Sequence, residues 1–229
     1  VEKDMKISDL INENFDKFQL YYKFLITENG KYNLTAITIE NEVFIKHFED
    51  SLVLENALNK DLNGLSLLDV GSGAGFPSIP LKICYPNLDV TIIEPTSKRV
   101  NFMNEVIKLL GLKKIRVICG RAEDLAREDE ENYDIVCARA VANLPVLLEL
   151  LSRFCKVSGY VCAYKGDKGY AELKKSKNAL NELKLEINKV YEYELSENLG
   201  TREVIVLQKK NHTPNKYPRR YSEIKKNPL

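Results

Sequence analysis

Short apolar runs alternate with stretches of helical periodicity along residues 64–185. Leu65–Val70, Asp89–Glu94, Ile115–Cys119, Tyr133–Ala138 and Tyr160–Tyr164 read as strands. Between and after them, Pro77–Ile83, Ser97–Leu110, Pro145–Phe154 and Lys168–Leu185 read as helices. Strands joined through crossover helices pair in parallel, and such a sheet needs helices on both faces. Lys189–Leu195 and Glu203–Lys209 are different: only a short polar link containing Gly200 joins them. That link is too short for a crossover helix, so these two runs are expected to form an antiparallel hairpin.

The regions outside this alternation are distinct in pattern and charge. From Ile7 to Leu25 apolar residues recur every three or four positions, which predicts an amphipathic helix, and Glu42–Leu58 predicts a second. Asn29-Gly30 and Asn33-Leu34-Thr35 read as turn and cap residues between them. Net charge is only +1 over 229 residues, but residues 1–60 hold 7 basic against 11 acidic side chains. Residues 209–229 hold 7 basic residues against Glu223 alone. The expected division is therefore an N-terminal helical extension (1–60), a central α/β domain (61–210) and a basic C-terminal tail (211–229), with no internal repeat.

Several classes are disfavoured. No run reaches the roughly 18 to 20 apolar residues of a membrane span, and the first residues lack the apolar region of a signal peptide. A soluble, cytoplasmic monomer is expected. Cys84, Cys119, Cys137, Cys155 and Cys162 stand singly, mostly in apolar runs, as buried thiols in a reducing compartment would. His47 and His212 share no ligand spacing with each other or with any cysteine, so no metal site is expected.

The segment Leu67-Leu68-Asp69-Val70-Gly71-Ser72-Gly73-Ala74-Gly75-Phe76-Pro77 is an apolar strand entering a glycine-rich turn, with Pro77 suited to a first helical position. Such a turn lets a ligand lie against bare backbone at the carboxyl end of the first strand. The spacing is G-x-G-x-G, and Phe76 occupies the place where a dinucleotide fingerprint needs its third small residue. A pyrophosphate must approach the helix start closely, whereas S-adenosylmethionine has no phosphate to place there. Glu94, 23 residues after Gly71, ends the second strand, near the interval at which an acid accepts hydrogen bonds from ribose hydroxyls. After the third strand, Ala122 and Glu123 in Gly120-Arg121-Ala122-Glu123-Asp124 could meet the edge of adenine, although acids at a helix start are also ordinary caps. Turn, acid and reversed hairpin together correspond to the class I S-adenosylmethionine-dependent methyltransferase fold, a Rossmann-like, mostly parallel sheet with an antiparallel terminal hairpin.

At these residues the chain resembles the bacterial family of small-subunit ribosomal RNA guanine-N7 methyltransferases, first described as glucose-inhibited division protein B. The resemblance runs through Asn33-Leu34-Thr35, Lys46 to Leu52, Asp69 to Leu81, Lys98 to Phe102, Ala138-Arg139-Ala140, Tyr164-Lys165-Gly166 and Thr201-Arg202-Glu203. The stretch from Thr213 to Leu229 resembles the basic tail of members from Gram-positive bacteria. The family commonly has Asp in place of Glu94 and Leu in place of Tyr164. The resemblance implies that Gly71, Gly73, Gly75 and Phe76 line S-adenosylmethionine, that Glu94 holds its ribose, and that Ala122 and Glu123 meet its adenine. It places Arg139 between cofactor and substrate, with Lys165 beside it in catalysis. The implied target is a guanine of 16S ribosomal RNA near the decoding centre, in free RNA or in the small subunit.

The residues fit that chemistry. Guanine N7 carries a lone pair and no proton, so methyl transfer needs alignment and desolvation but no general base. The Asn/Asp-Pro-Pro-aromatic motif of enzymes acting on exocyclic amines is missing after the fourth strand, where Cys137-Ala138-Arg139-Ala140 stands. Arg139 could bond guanine O6 or grip a phosphate. Lys165 and Arg202 are either phosphate contacts or solvated charges. His47, with Asp50, contacts RNA or pins the N-terminal layer across the site. Cys137 lacks the sequence context of a methyltransferase nucleophile. Lys216, Arg219 and Arg220, interleaved with Tyr217 and Tyr221, could follow an RNA backbone, or belong to a solubilising tail. Two other readings stay open: a non-catalytic RNA-binding or ribosome-assembly factor on the same fold, and an NAD-dependent oxidoreductase.

Overall fold

In the computed structural model, which describes residues 6–126 and 131–229, seven strands form one sheet in the order β3-β2-β1-β4-β5-β7-β6. The parallel strands are β1 (Ser66–Val70), β2 (Asp89–Glu94), β3 (Ile115–Cys119), β4 (Tyr133–Arg139) and β5 (Cys155–Lys165). Hairpin strands β6 (Leu185–Glu194) and β7 (Thr201–Lys209) pair antiparallel, and β7 runs antiparallel to β5. Burial follows position in the sheet. Leu67, Leu68, Asp69 and Val70 of central β1 are all buried, as both faces of a parallel strand must be, whereas much of edge strand β6 is open to water.

The N-terminal helices divide differently from the sequence pattern. The helix expected over Ile7–Leu25 is two, α1 (Ile7–Glu13) and α2 (Phe15–Tyr32). The break is at Asn14, whose amide donates to Leu10 O at 3.0 Å, the side-chain competition that makes Asn a poor interior residue. Asn29-Gly30, expected as a turn, lies inside α2. The Asn29 side chain accepts from the backbone N–H groups of Leu34 (2.8 Å) and Thr35 (2.9 Å), and the helix stops at Asn33, which is left-handed at φ 50°. The second expected helix is a run of short turns: α3 (Glu40–Val43), a π-helical turn (Phe44–Glu49), α4 (Asp50–Leu52) and α5 (Leu54–Leu58).

Further along, α6 (Ser78–Cys84), α7 (Ser97–Leu109), α8 (Ala122–Leu125) and α9 (Leu144–Leu151) are the crossover helices. Pro77 precedes α6 as its N-cap and does not occupy its first turn. A 3-10 turn over Ser152–Phe154 ends the expected Pro145–Phe154 helix. The Lys168–Leu185 stretch is α10 (Gly169–Lys175) and α11 (Lys177–Leu183), broken at Ser176, whose hydroxyl donates to Glu172 O at 2.9 Å. The chain closes with α12 (Tyr221–Lys226).

Two cores flank the sheet. On one face Phe18, Tyr21, Phe48, Ile79 and Phe102 pack with Leu67, Val90 and Val206. On the other, Leu147, Leu151, Leu183, Tyr217 and Ile224 pack with Leu68, Val136 and Leu207. Each large apolar side chain so buried contributes about 1.5–3 kcal/mol. Residues 6–60 and 211–229 both supply such side chains to the cores of the central domain. Lys209, counted in sequence among the tail's basic charges, is itself fully buried, with Nζ donating to Ser152 O (2.7 Å) and Cys155 O (3.2 Å). No helix among the described residues is long and apolar enough to cross a membrane.

Candidate active site

The glycine turn leaves β1 at its carboxyl end and is held from below by one carboxyl group. Asp69, fully buried, accepts from Ser72 Oγ (2.5 Å) in the turn and from Ser78 Oγ (2.8 Å) at the start of α6, both on Oδ2. Burial pushes its pKa up to about 7 against the pull of those two hydroxyls and of Arg139. From the N-terminal layer the Tyr21 hydroxyl donates to Ala74 O. The turn is thus tied to β1, α6 and α2 at once, which gives it a single shape.

That shape needs glycine. Gly71, Gly73 and Gly75 have φ of 75°, 64° and 100°, a region other residues enter at a cost. A Cβ on Gly73 would meet nothing within 4 Å, so open space stands over the middle of the turn. A Cβ on Gly71 would come 2.8 Å from Val141 Cγ2, which brings the β4–α9 loop over the turn's first residue. Beside the turn ends β2. Glu94, 1% exposed, accepts from Gly73 N (3.1 Å) through one oxygen and from Thr96 N (3.0 Å) through the other. Each oxygen keeps a lone pair for a ribose hydroxyl. Gly120 N donates to Glu94 O at 3.2 Å, so the turn carrying buried Ala122 and half-buried Glu123 follows directly on the far side.

Arg139 ends β4 and faces the turn from the opposite side. Its Nη1 donates to Asp50 Oδ2 (2.7 Å) and Lys46 O (3.2 Å), its Nη2 lies 3.3 Å from His47 Nδ1, and the guanidinium stands 5.1 Å over the Phe76 ring. Asp50 also accepts from the Tyr193 hydroxyl at 2.7 Å. His47 stacks on Phe76 with centroids 4.5 Å apart, and its Nε2 is 2.8 Å from Thr35 Oγ1. Burial and the adjacent guanidinium push the His47 pKa down to about 4, which keeps the imidazole neutral. The π-helical turn over Phe44–Glu49 carries Lys46 and His47, and Asp50 follows directly, so all three meet Arg139 from one segment.

Arg139 opens onto a cleft of about 520 Å³ lined also by Lys46, His47, Val141, Lys165 and Arg202. Lys165 Nζ donates to Ala142 O (2.7 Å) and Glu172 Oε2 (2.8 Å), and the same oxygen accepts from Leu144 N (2.7 Å). Arg202 donates to Thr201 O at 3.0 Å. The sequence residues thus assemble as two adjoining groups, the turn with Glu94 and Ala122 and the cleft with Arg139, Lys165 and Arg202. Lys216, Arg219 and Arg220 join neither. Lys216 pairs with Glu182 (2.9 Å) and Arg219 with buried Glu149 (2.6 Å), while Arg220 is exposed. Tail charges expected to be free to follow a ligand are thus largely bound within the chain, because residues 213–224 carry the apolar side chains that dock it. Sequence reasoning did not single out Glu172 and Tyr193, which bond Lys165 and Asp50.

Cys137 is buried, and burial pushes its thiol far up, which suits an inert core residue. Among the described residues no cluster of His, Cys, Asp and Glu could hold a metal ion.

Sheet order, reversed β7, open glycine turn and the buried acid that ends β2 define a class I methyltransferase, for which S-adenosylmethionine is the cofactor. Solved structures agree on the fold. A ribosomal protein L11 methylase from Lactobacillus delbrueckii aligns with TM-score 0.55 at 20% identity, covering 72% of this chain and 79% of that one. M. jannaschii TYW2 in complex with AdoMet aligns with TM-score 0.54 at 19% identity, covering 69% and 74%. The family pattern described as rRNA small subunit methyltransferase G matches residues 14–201. A ribosomal RNA small subunit methyltransferase G from Staphylococcus epidermidis is 44% identical over 223 residues, 96% of this chain and 92% of its relative. The chain belongs to the rRNA small subunit methyltransferase G family, which displaces the oxidoreductase reading.

Proposed function

We propose that the protein transfers a methyl group from S-adenosylmethionine to N7 of a guanine in 16S ribosomal RNA, near the decoding centre, as a cytoplasmic monomer. The observation that carries this reading is the position of Arg139, stacked over Phe76 of the cofactor turn and open to the basic cleft. Gly71, Gly73, Gly75 and Phe76 would hold the cofactor's body, Glu94 its ribose, and Ala122 and Glu123 its adenine. When bound, the cofactor supplies an electrophilic methyl group on a sulfonium.

The chain's own work is alignment. Guanine N7 has no proton to lose, so neutral, half-buried His47 is not needed as a base and acts as a flat wall behind Arg139. Arg139 would bond O6 or an adjacent phosphate with the donors that Asp50 and Lys46 leave open. Lys165, tied to Glu172, closes the floor of the cleft, and Lys46 and Arg202 supply positive charge at its mouth for the RNA backbone.

The test uses methyl-labelled S-adenosylmethionine with small-subunit particles, or with their 16S RNA, from a strain lacking the corresponding activity. Borohydride and aniline cleavage then maps 7-methylguanine. Cleavage at one guanine of the decoding region is the expected result. Label at another base would discard the target, and label absent from every RNA would discard the activity.

A further inference from the structure

The C-terminal segment lies outside the residues matched by the family pattern, 14–201, yet it is docked by an ion pair joined through three hydrogen bonds. Glu149 projects from α9 and is fully buried. Arg219 meets it with three donors: backbone N (2.9 Å) and Nε (2.8 Å) to Oε1, and Nη2 (2.6 Å) to Oε2. The same Nη2 also donates to Asn227 O at 3.1 Å, closing the end of α12. Around this pair the Tyr217 hydroxyl donates to Glu182 (2.7 Å), Arg153 Nη1 donates to Tyr217 O (3.2 Å), and Ile224 is fully buried. A charge such as that of Glu149 cannot be left unpaired in the core without large cost, so the segment stays seated.

What it is seated beside matters for the cofactor. The apolar cluster that takes Tyr217 and Ile224 also contains Ala122 and Ala126, with Leu125 and Leu229 packed against it. Both α8 and α12 rest on α9. Directly across the gap, the Arg121 guanidinium stands 6.0 Å over the ring of Tyr221, the first residue of α12. Arg121 also pairs with Glu123 at 3.7 Å. Tyr221, Arg121 and Glu123 thus form one chain from the tail to the turn that follows β3.

We propose that the C-terminal segment is a fixed clasp that holds the β3–α8 turn in the shape that receives the adenine of S-adenosylmethionine, with Arg219, Glu149 and Tyr221 as positioning residues. This rests on the placing of adenine at Ala122 and Glu123, and leaves the RNA target aside. A clasp of this kind acts on cofactor affinity through the turn, because a turn that is already ordered loses less entropy when its ligand arrives.

The experiment measures binding of S-adenosylmethionine by titration calorimetry and binding of a 16S RNA fragment by filter retention, on the full chain. Two variants are compared with it: Tyr221→Ala, which cuts the contact to Arg121 and leaves the Arg219–Glu149 pair, and the double change Arg219→Ala with Glu149→Gln, which removes both charges and leaves none buried alone. Hydrogen exchange of the amides of residues 121–126 is followed in each. The expected result is cofactor affinity weakened roughly five- to tenfold in the double variant and less in Tyr221→Ala, with faster exchange at 121–126 and unchanged RNA affinity. Unchanged cofactor affinity and exchange in a folded double variant would overturn the clasp. Loss of RNA affinity with cofactor affinity intact would overturn it in favour of an RNA-binding arm. Because no methyl transfer is measured, failure of the target assignment leaves this result readable.

Discussion

Arg139 is restrained by Asp50, Lys46 O, His47 and the face of Phe76, so in the proposed function it would act by orientation at a fixed position. Arg139→Ala removes the cation between turn and cleft and leaves Asp50, 5% exposed, with Tyr193 as its remaining hydroxyl donor. The variant should fold with stability lower by about 2 kcal/mol, a fall in Tm of roughly 4–8 °C. Methyl transfer should fall by at least about 100-fold, read as kcat/KM on 16S RNA. Activity within threefold of the parent would remove Arg139 from the site.

Two groups that touch the glycine turn, His47 through Phe76 and Asp69 through Ser72, are shifted in opposite directions. His47 falls to about 4 in the folded chain from an ordinary 6.5, so between these values the unfolded chain binds a proton that the folded chain refuses, and stability is lost as pH falls. Asp69 rises to about 7 from an ordinary 3.8, so the folded chain holds a proton that the unfolded chain releases, and stability is lost as pH rises through that window. Between about pH 4 and 6.5 the two effects oppose. Relative to the parent, His47→Gln should therefore gain Tm on acidification from pH 7 to 5, and Asp69→Asn should lose it. Parallel Tm profiles for parent and both variants, by differential scanning fluorimetry, would contradict this.

At the scale of the element, the glycine turn is open at Gly73 and closely packed at Gly75. Gly75→Ala puts a Cβ at φ 100° against Ile79 and 2.8 Å from the Tyr21 hydroxyl, so backbone and packing both suffer. Gly73→Ala meets nothing, and its cost is the left-handed backbone alone, about 1–2 kcal/mol. Gly73→Ala should therefore fold nearly as the parent does yet bind S-adenosylmethionine at least about tenfold more weakly, because its methyl group enters the space over the turn. Gly75→Ala should lose more stability than Gly73→Ala in urea melts. Equal cofactor affinity for Gly73→Ala and the parent would show that the ligand does not lie against this residue.

Over the whole molecule, the terminal segments belong to the cores they flank. A chain ending at Lys210 loses Tyr217, Ile224 and the partner of buried Glu149. It should be less stable by about 3–5 kcal/mol, with Tm lower by roughly 10 °C in calorimetry. A truncated chain that melts with the parent would show that the segment adds nothing to the fold.

The strand pattern, the reversed hairpin, the glycine turn and Glu94 were legible from residue order, because each depends on periodicity, chain length between strands or a local φ that few residues adopt. The family resemblance singled out Arg139 and Lys165, which are the last residues of β4 and β5. Local pattern misled where side chains compete with backbone: Asn14 splits a helix that hydrophobic spacing joins, and Asn29-Gly30 continues one that turn chemistry would end. Charge along the chain suggested a free basic arm, but charge does not report pairing over distance. Asp50 with Arg139, Tyr193 with Asp50, and Glu149 with Arg219 lie 89, 143 and 70 positions apart. Only folding brings such groups together, since the burial that makes their pairing obligatory does not exist in the extended chain.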